Sequence, residues 1–135
     1  MSYAREMVQT HPSPQMTDET LISCIEACFD CAQACTACAD ACLGEANVHE
    51  LTRCIRQNLD CGDVCGTTGR ILSRQTAFEP AMVRAILQAC AESCRICGDE
   101  CEQHGQHGME HCRVCAEACR RCERACHDLI GQLAA

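Results

Sequence analysis

The chain has 135 residues, a formal charge of −8 and 18 cysteines. That length suits one domain, and the acidic balance without any basic cluster argues against nucleic acid and anionic membrane surfaces as partners. No stretch approaches the ~20 apolar residues of a membrane span. The first residues also lack the run of roughly 7–15 apolar residues of a secretory signal, so the expected compartment is the cytosol.

The apolar fraction of 47% is unusual in kind, because Cys and Ala, 18 of each, make up more than half of it, while Leu, Ile, Val and Phe together number only 22. So few bulky aliphatic residues in a charged chain would ordinarily suggest disorder. The strong periodicity of the cysteines indicates instead that thiols occupy much of an interior.

In chain order, residues 1–16, with Pro12 and Pro14, form an N-terminal arm that is either disordered or a short extra helix. Residues 17–135 divide into four helical segments. The first runs from about Thr17 to Leu43 with Cys24, Cys28, Cys31, Cys35, Cys38 and Cys42, and stops near Gly44. The second is expected to start on Asn47 as N-cap, with Glu50 three residues later, and to carry Cys54, Cys61 and Cys65 as far as Arg74. Gly62, Gly66 and Gly69 weaken its later half. The third begins at Pro80, suited to a first helical turn, carries Cys90, Cys94, Cys97 and Cys101, and is expected to end before Gly105. The fourth, about Met109 to Leu133, carries Cys112, Cys115, Cys119, Cys122 and Cys126. Short links favour antiparallel neighbours, so the predicted fold is all-α, an up-down-up-down four-helix bundle with a cysteine-lined core.

Cysteine gaps of three, four and seven residues fit a helix and not a strand. At about 100° per residue the six cysteines of the first segment fall within roughly 80° of arc. A thiol thus stands where a core helix would carry Leu. Free Cys can pack as a small hydrophobe, but eighteen on inward stripes would bring an oxidation hazard without a packing advantage. Disulfides within a helix would be strained, because i and i+4 Cβ atoms lie about 5–6 Å apart and a bridge needs roughly 3.5–4.5 Å. The five C-x-x-C pairs lack the β-α-β setting of thioredoxin chemistry.

Metal binding accounts for the pattern better. Soft thiolates select Cu(I), zinc or iron–sulfur clusters. Structural zinc favours compact, closed four-ligand groups, and the C-x2-C-x2-C-x3-C-P iron–sulfur run is missing. Cu(I) accepts few ligands, so neighbouring stripes can share thiolates between ions. Each ion displaces protons and neutralises a thiolate, and loading near one ion per cysteine would leave the core close to neutral. A zinc or general soft-metal detoxifying protein, and an iron–sulfur or redox protein, are the rival readings. No set of residues suggests an enzyme.

The antiparallel arrangement gathers Leu21, Ile22, Ile71, Leu72, Val83, Ile86, Leu87, Leu129, Ile130 and Leu133 at one end as an apolar plug. The opposite end collects Cys42, His49, Cys101, His104, His107, Met109, His111 and Cys112, ligand types without an aliphatic seal. This end is read as the mouth for copper, with His104, His107, Met109 and His111 as first contacts; His11 and His127 lie elsewhere.

The runs Cys-Ile-Glu-Ala-Cys-Phe-Asp-Cys-Ala-Gln-Ala-Cys, Ala-Cys-Ala-Glu-Ser-Cys-Arg-Ile-Cys and His-Cys-Arg-Val-Cys-Ala-Glu-Ala-Cys-Arg-Arg-Cys give the chain, from about Leu21 to Leu133, a close likeness to a known family. It resembles the bacterial copper storage proteins, in particular their cytosolic branch. The resemblance implies a four-helix bundle that assembles as a homotetramer, binds multiple Cu(I) ions along its bore and holds them in the cytosol. A cytosolic copper chaperone is a candidate partner.

Overall fold

The computed structural model describes residues 2–134. It contains α1 (Ala4–Gln9), α2 (Glu19–Leu43), a 3-10 turn (Val48–Glu50), α3 (Thr52–Ser73), α4 (Pro80–Gln106) and α5 (Glu110–Ala134), with no strand among the described residues. α2 packs against α3 and α5, and α4 packs against the same two, giving an antiparallel four-helix bundle in which sequence neighbours are spatial neighbours.

The helix boundaries follow local chemistry. Asp18 caps α2 by accepting a 3.0 Å hydrogen bond from the Leu21 amide, so the helix begins at Glu19, two residues later than the composition suggests. Asn47 does not cap α3. It precedes the 3-10 turn, its side chain contacts Glu50 at 3.3 Å, and α3 starts at Thr52. The glycines do not interrupt α3, because its small residues allow close approach to α2. A Cβ on Gly69 would lie 2.8 Å from the ring of Phe29.

Gly105 does not end α4 either. It lies inside the helix where α5 crosses, and a Cβ there would meet the Arg113 backbone at 3.0 Å. The turn itself belongs to Gly108, whose φ of +94° suits only glycine. The Gly108 and Met109 amides then close onto Gly105 and His104 carbonyls at 3.2 Å each.

α1 lies against α2 and α3 and buries Val8. Gln75, 1% exposed in the α3–α4 link, ties the following segment down by accepting from the Met16 amide at 2.8 Å while donating to the Leu72 carbonyl at 3.0 Å.

At the plug end Leu21, Ile22, Leu72, Val83, Leu87 and Leu129 are buried, joined by Ile25. Each such side chain contributes about 1.5–3 kcal/mol. Ile71, Ile86, Ile130 and Leu133 are half-buried around them. α2 is long and apolar enough to cross a membrane by composition alone, but its apolarity is largely Cys and Ala, and half of it is buried inside the bundle. Charged residues occupy the outer faces. Arg120 of α5 reaches Asp99 and Glu102 of α4 at 2.7 and 2.6 Å, and Arg121 reaches Asp30 of α2 at 2.6 Å, pairing neighbouring helices.

Candidate metal centre

All eighteen cysteines are free, and none is more than 2% exposed. The helical period projects them from α2, α3, α4 and α5 into one bore, where sulfurs of different helices interleave. Cys31 Sγ lies 3.8 Å from Cys35, 4.0 Å from Cys94 and 3.8 Å from Cys119. Cys35 Sγ lies 4.0 Å from Cys97, 3.8 Å from Cys119 and 3.7 Å from Cys115. Cys65 lies 3.7 Å from both Cys61 and Cys90 and 3.5 Å from Cys94. At the plug end Cys28 meets Cys122 at 3.8 Å, and Cys24 meets Cys126 at 4.0 Å.

These separations suit soft metal ions. A metal–sulfur bond of about 2.3 Å puts two sulfurs of a trigonal site about 4.0 Å apart and two of a linear site about 4.6 Å apart. Sets of four thiols whose sulfurs lie within 4.8 Å of one another recur along the bore: Cys28, Cys90, Cys122 and Cys126; Cys31, Cys61, Cys65 and Cys94; Cys31, Cys35, Cys61 and Cys119; Cys35, Cys97, Cys115 and Cys119; Cys38, Cys42, Cys54 and Cys112. Cys31, Cys35, Cys61 and Cys119 each belong to two sets. Shared thiolates suit bridging between monovalent ions. Closed divalent sites would each need four thiolates of their own and leave the dry core strongly negative.

Two buried side chains on the inward stripe of α3 are neither thiol nor aliphatic, those of Asn58 and Thr68, and the Thr68 hydroxyl donates back to the Val64 carbonyl at 2.7 Å. Asn58, 0% exposed, occupies the helical rung that the seven-residue gap between Cys54 and Cys61 leaves open on α3. Its Oδ1 accepts from Cys115 at 3.0 Å and Cys97 at 3.3 Å, and its Nδ2 donates to the Cys54 carbonyl at 2.8 Å and the Cys54 sulfur at 3.3 Å. The gap was the available signal for a non-cysteine group in the ladder; it carried no indication that the group would be a buried amide.

The mouth is narrower in chemistry than the residue list suggests. His111 is the histidine that reaches the sulfurs: its Nδ1 lies 3.4 Å from Cys38 and 3.6 Å from Cys112. Met109 is half-buried against the core. His107 is exposed with Nδ1 2.7 Å from the Gln103 carbonyl, His104 Nε2 lies 3.9 Å from Glu100, and His49 is exposed on the 3-10 turn; none of these three rings hydrogen-bonds a thiol. His11 contacts Thr76 at 3.2 Å, and His127 is exposed. The mouth is not free of aliphatic cover, since Leu51, between the 3-10 turn and α3, is 1% exposed.

Burial and neighbouring thiols set the proton load of the bore. Hydrogen-bonded neighbours, first Cys122 for Cys28 and Cys94 and first Cys115 for Cys35, hold these thiols well above the ordinary range, and burial adds to the effect. Burial raises Cys42 as well. Hydrogen bonding first with Cys126 and then with Cys28 lowers Cys24 to about 6. Raised thiols must lose protons to ligate, so protons compete with the ion. Lowering the pH from 7.5 to 5.5 is expected to weaken ion binding about tenfold per pH unit for each proton displaced. Competition against a chelator of known pH dependence measures this, and a pH-independent affinity would mean that binding displaces no thiol proton.

A bundle whose bore is a continuous run of reduced, shared thiols defines a protein that holds many soft metal ions. Comparison with known proteins narrows the class. The family model for copper storage protein matches residues 17–131, and this chain belongs to the copper storage protein family. The copper storage protein Ccsp from Streptomyces lividans, loaded with 10 copper equivalents, superposes with a TM-score of 0.91 at 52% identity, covering 95% of this chain and 98% of that one. A cytosolic copper storage protein from Streptomyces lividans with five coppers gives a TM-score of 0.82 at 57% identity over 84% of this chain and 93% of that one. The Cu(I)-bound copper storage protein BsCsp3 gives 0.70 at 36% identity over 82% and 97%.

Proposed function

We propose that this chain stores and buffers Cu(I) in the cytosol, binding many ions on the thiolates of all eighteen cysteines and loading them through the end that carries His111 and Met109. The observation that carries this reading is the unbroken ladder of buried sulfurs, such as Cys31, Cys35, Cys119 and Cys115, at 3.7–3.8 Å steps within and across helices. Copper-loaded relatives of the same fold support the choice of ion, and the relative described as cytosolic supports the compartment.

In this reading the protein binds and releases its cargo and turns nothing over. An ion meets His111, Cys38 and Cys112 first, sheds weaker ligands, and passes inward by exchange between adjacent thiolates; each thiol that takes the ion gives up its proton, and each thiolate the ion leaves takes one back. The N-terminal residues 1–16 serve as an arm beside a storage bundle of residues 17–135, and His104 and His107 act as looser outer contacts. A homotetramer and handover to a cytosolic copper chaperone complete the proposal.

The test is an anaerobic titration of reduced protein with Cu(I) against a chromophoric chelator, with metal and protein quantified separately. Uptake approaching one ion per cysteine supports storage. Saturation at one to four ions, or preferential tight binding of zinc, would overturn it.

A further inference from the structure

At the mouth one acidic side chain has a different environment from the charged residues on the outer faces. α2 ends at Leu43, and in the bend that follows the Glu45 amide donates to the Cys42 carbonyl at 3.2 Å, which holds this residue over the end of the bore. Its carboxylate Oε2 lies 3.0 Å from Nε2 of His111, in the first turn of α5. The other ring nitrogen, Nδ1, lies 3.4 Å from Cys38 Sγ and 3.6 Å from Cys112 Sγ, and those two sulfurs are 3.8 Å apart. One nitrogen and two sulfurs thus form a near-equilateral triangle. Both His111 and Glu45 are partly exposed, with side-chain exposures of 28% and 35%, so the triangle stands between solvent and the dry bore.

An imidazole can ligate through Nδ1 only when that nitrogen carries no proton, and a carboxylate can only accept. A neutral His111 that satisfies Glu45 must therefore carry its hydrogen on Nε2, leaving the Nδ1 lone pair facing the sulfurs. We propose that Glu45 is a positioning residue for copper entry: it sets the tautomer and ring orientation of His111 so that Nδ1, Cys38 and Cys112 together receive the incoming ion. This rests on the storage reading above and adds a residue that itself touches no metal.

The experiment compares wild type, Glu45→Ala, Glu45→Gln, His111→Ala and the Glu45→Ala/His111→Ala double variant. Stopped-flow uptake of the first equivalents of a soluble Cu(I)–acetonitrile complex is recorded along with the final capacity. Nitrogen-15 NMR of the histidine rings in the metal-free, reduced protein at pH 8 reads the tautomer. Disturbing a carboxylate that orients a ligating histidine typically costs 10–100-fold. Glu45→Ala and His111→Ala should each slow the first phase by about that factor, the double variant should be no slower than His111→Ala, and capacity should be preserved in the two Glu45 single variants. Glu45→Gln, whose amide oxygen can still accept from Nε2–H, should retain most of the rate. The NMR should show Nε2–H at His111 in wild type and Glu45→Gln.

A Glu45→Ala effect that persists in the His111→Ala background, or a Glu45→Gln variant as slow as Glu45→Ala, would assign Glu45 a through-space charge effect and overturn the proposal. So would an Nδ1–H tautomer at His111 in wild type. Low capacity in wild type would instead count against storage, while normal capacity with independent effects at the two sites would count against Glu45 alone.

Discussion

Loading the bore with Cu(I) should raise the thermal midpoint by tens of degrees over the metal-free, reduced protein. The metal-free core is held by weak contacts. Its aliphatic side chains are concentrated at the plug, and from Cys31 to Cys101 the facing positions are small thiols and Asn58. Thiols donate weakly, so little besides dispersion joins the helices there. An ion bound by Cys31, Cys61 and Cys94 would link α2, α3 and α4, and one bound by Cys35, Cys97 and Cys115 would link α2, α4 and α5. An ion present at 1,000 times its dissociation constant adds about 4 kcal/mol to a state that alone binds it. For a domain of this size each kcal/mol moves the midpoint by roughly 3 °C or more, so a few ions suffice. Calorimetry under anaerobic conditions at increasing copper, followed by chelator extraction, measures the shift and its reversal. A midpoint indifferent to copper would place the ions on surface groups instead of the bore.

The second large effect concerns Asn58. Replacing it with Asp keeps the shape, removes the donor to the Cys54 carbonyl and places a carboxylate among thiols with no cation nearby. Burial disfavours the charged form and raises such a pKa by several units above its unfolded value of about 3.9. The sign follows from linkage: the folded state prefers the protonated acid, so the variant loses little of this kind below about pH 4. It becomes progressively less stable as the pH rises through the folded pKa, reaching a penalty of about 3–5 kcal/mol near neutrality. Urea unfolding of the reduced, metal-free proteins at pH 4 and pH 7 supplies the comparison with wild type at each pH. Equal penalties at both would show that position 58 is wet enough to keep a carboxylate ionised.

How much was legible in the sequence depended on whether a feature repeats. Each cysteine repeats the position of another three, four or, for Cys54, seven residues away, so a rotation of 100° per residue places all of them on one side of their helix. The plug was legible for a related reason, since short links force antiparallel order and antiparallel order decides which helix ends meet. Single residues outside a repeat were harder to place. His49, His104, His107 and His111 all lie near one end, yet only His111 turns its ring to the sulfurs, because rotation about the helix and the path of a link decide direction where proximity along the chain does not. Leu51 covers the mouth from a link that carried no periodic signal. The three glycines of α3 weaken a helix considered alone, but Gly69 fits the ring of Phe29 on a neighbouring helix, a contact that propensity cannot report.

The sequence by itself determined the helical class, the order and approximate length of the four long helices, the side of each that carries thiols, and the choice of a soft metal ion as cargo. These follow from local spacing and from the chemistry of sulfur, which need no partner to be defined. Only the tertiary structure decided which sulfurs of different helices share a site, that Asn58 fills the missing rung of α3, and that Glu45 and Leu51 stand with His111 at the mouth. The reason is that these depend on the relative rotation and axial offset of packed helices and on the course of irregular links. Both are fixed by contacts between residues far apart in the chain, such as Glu45 with His111 and Gly105 with Arg113.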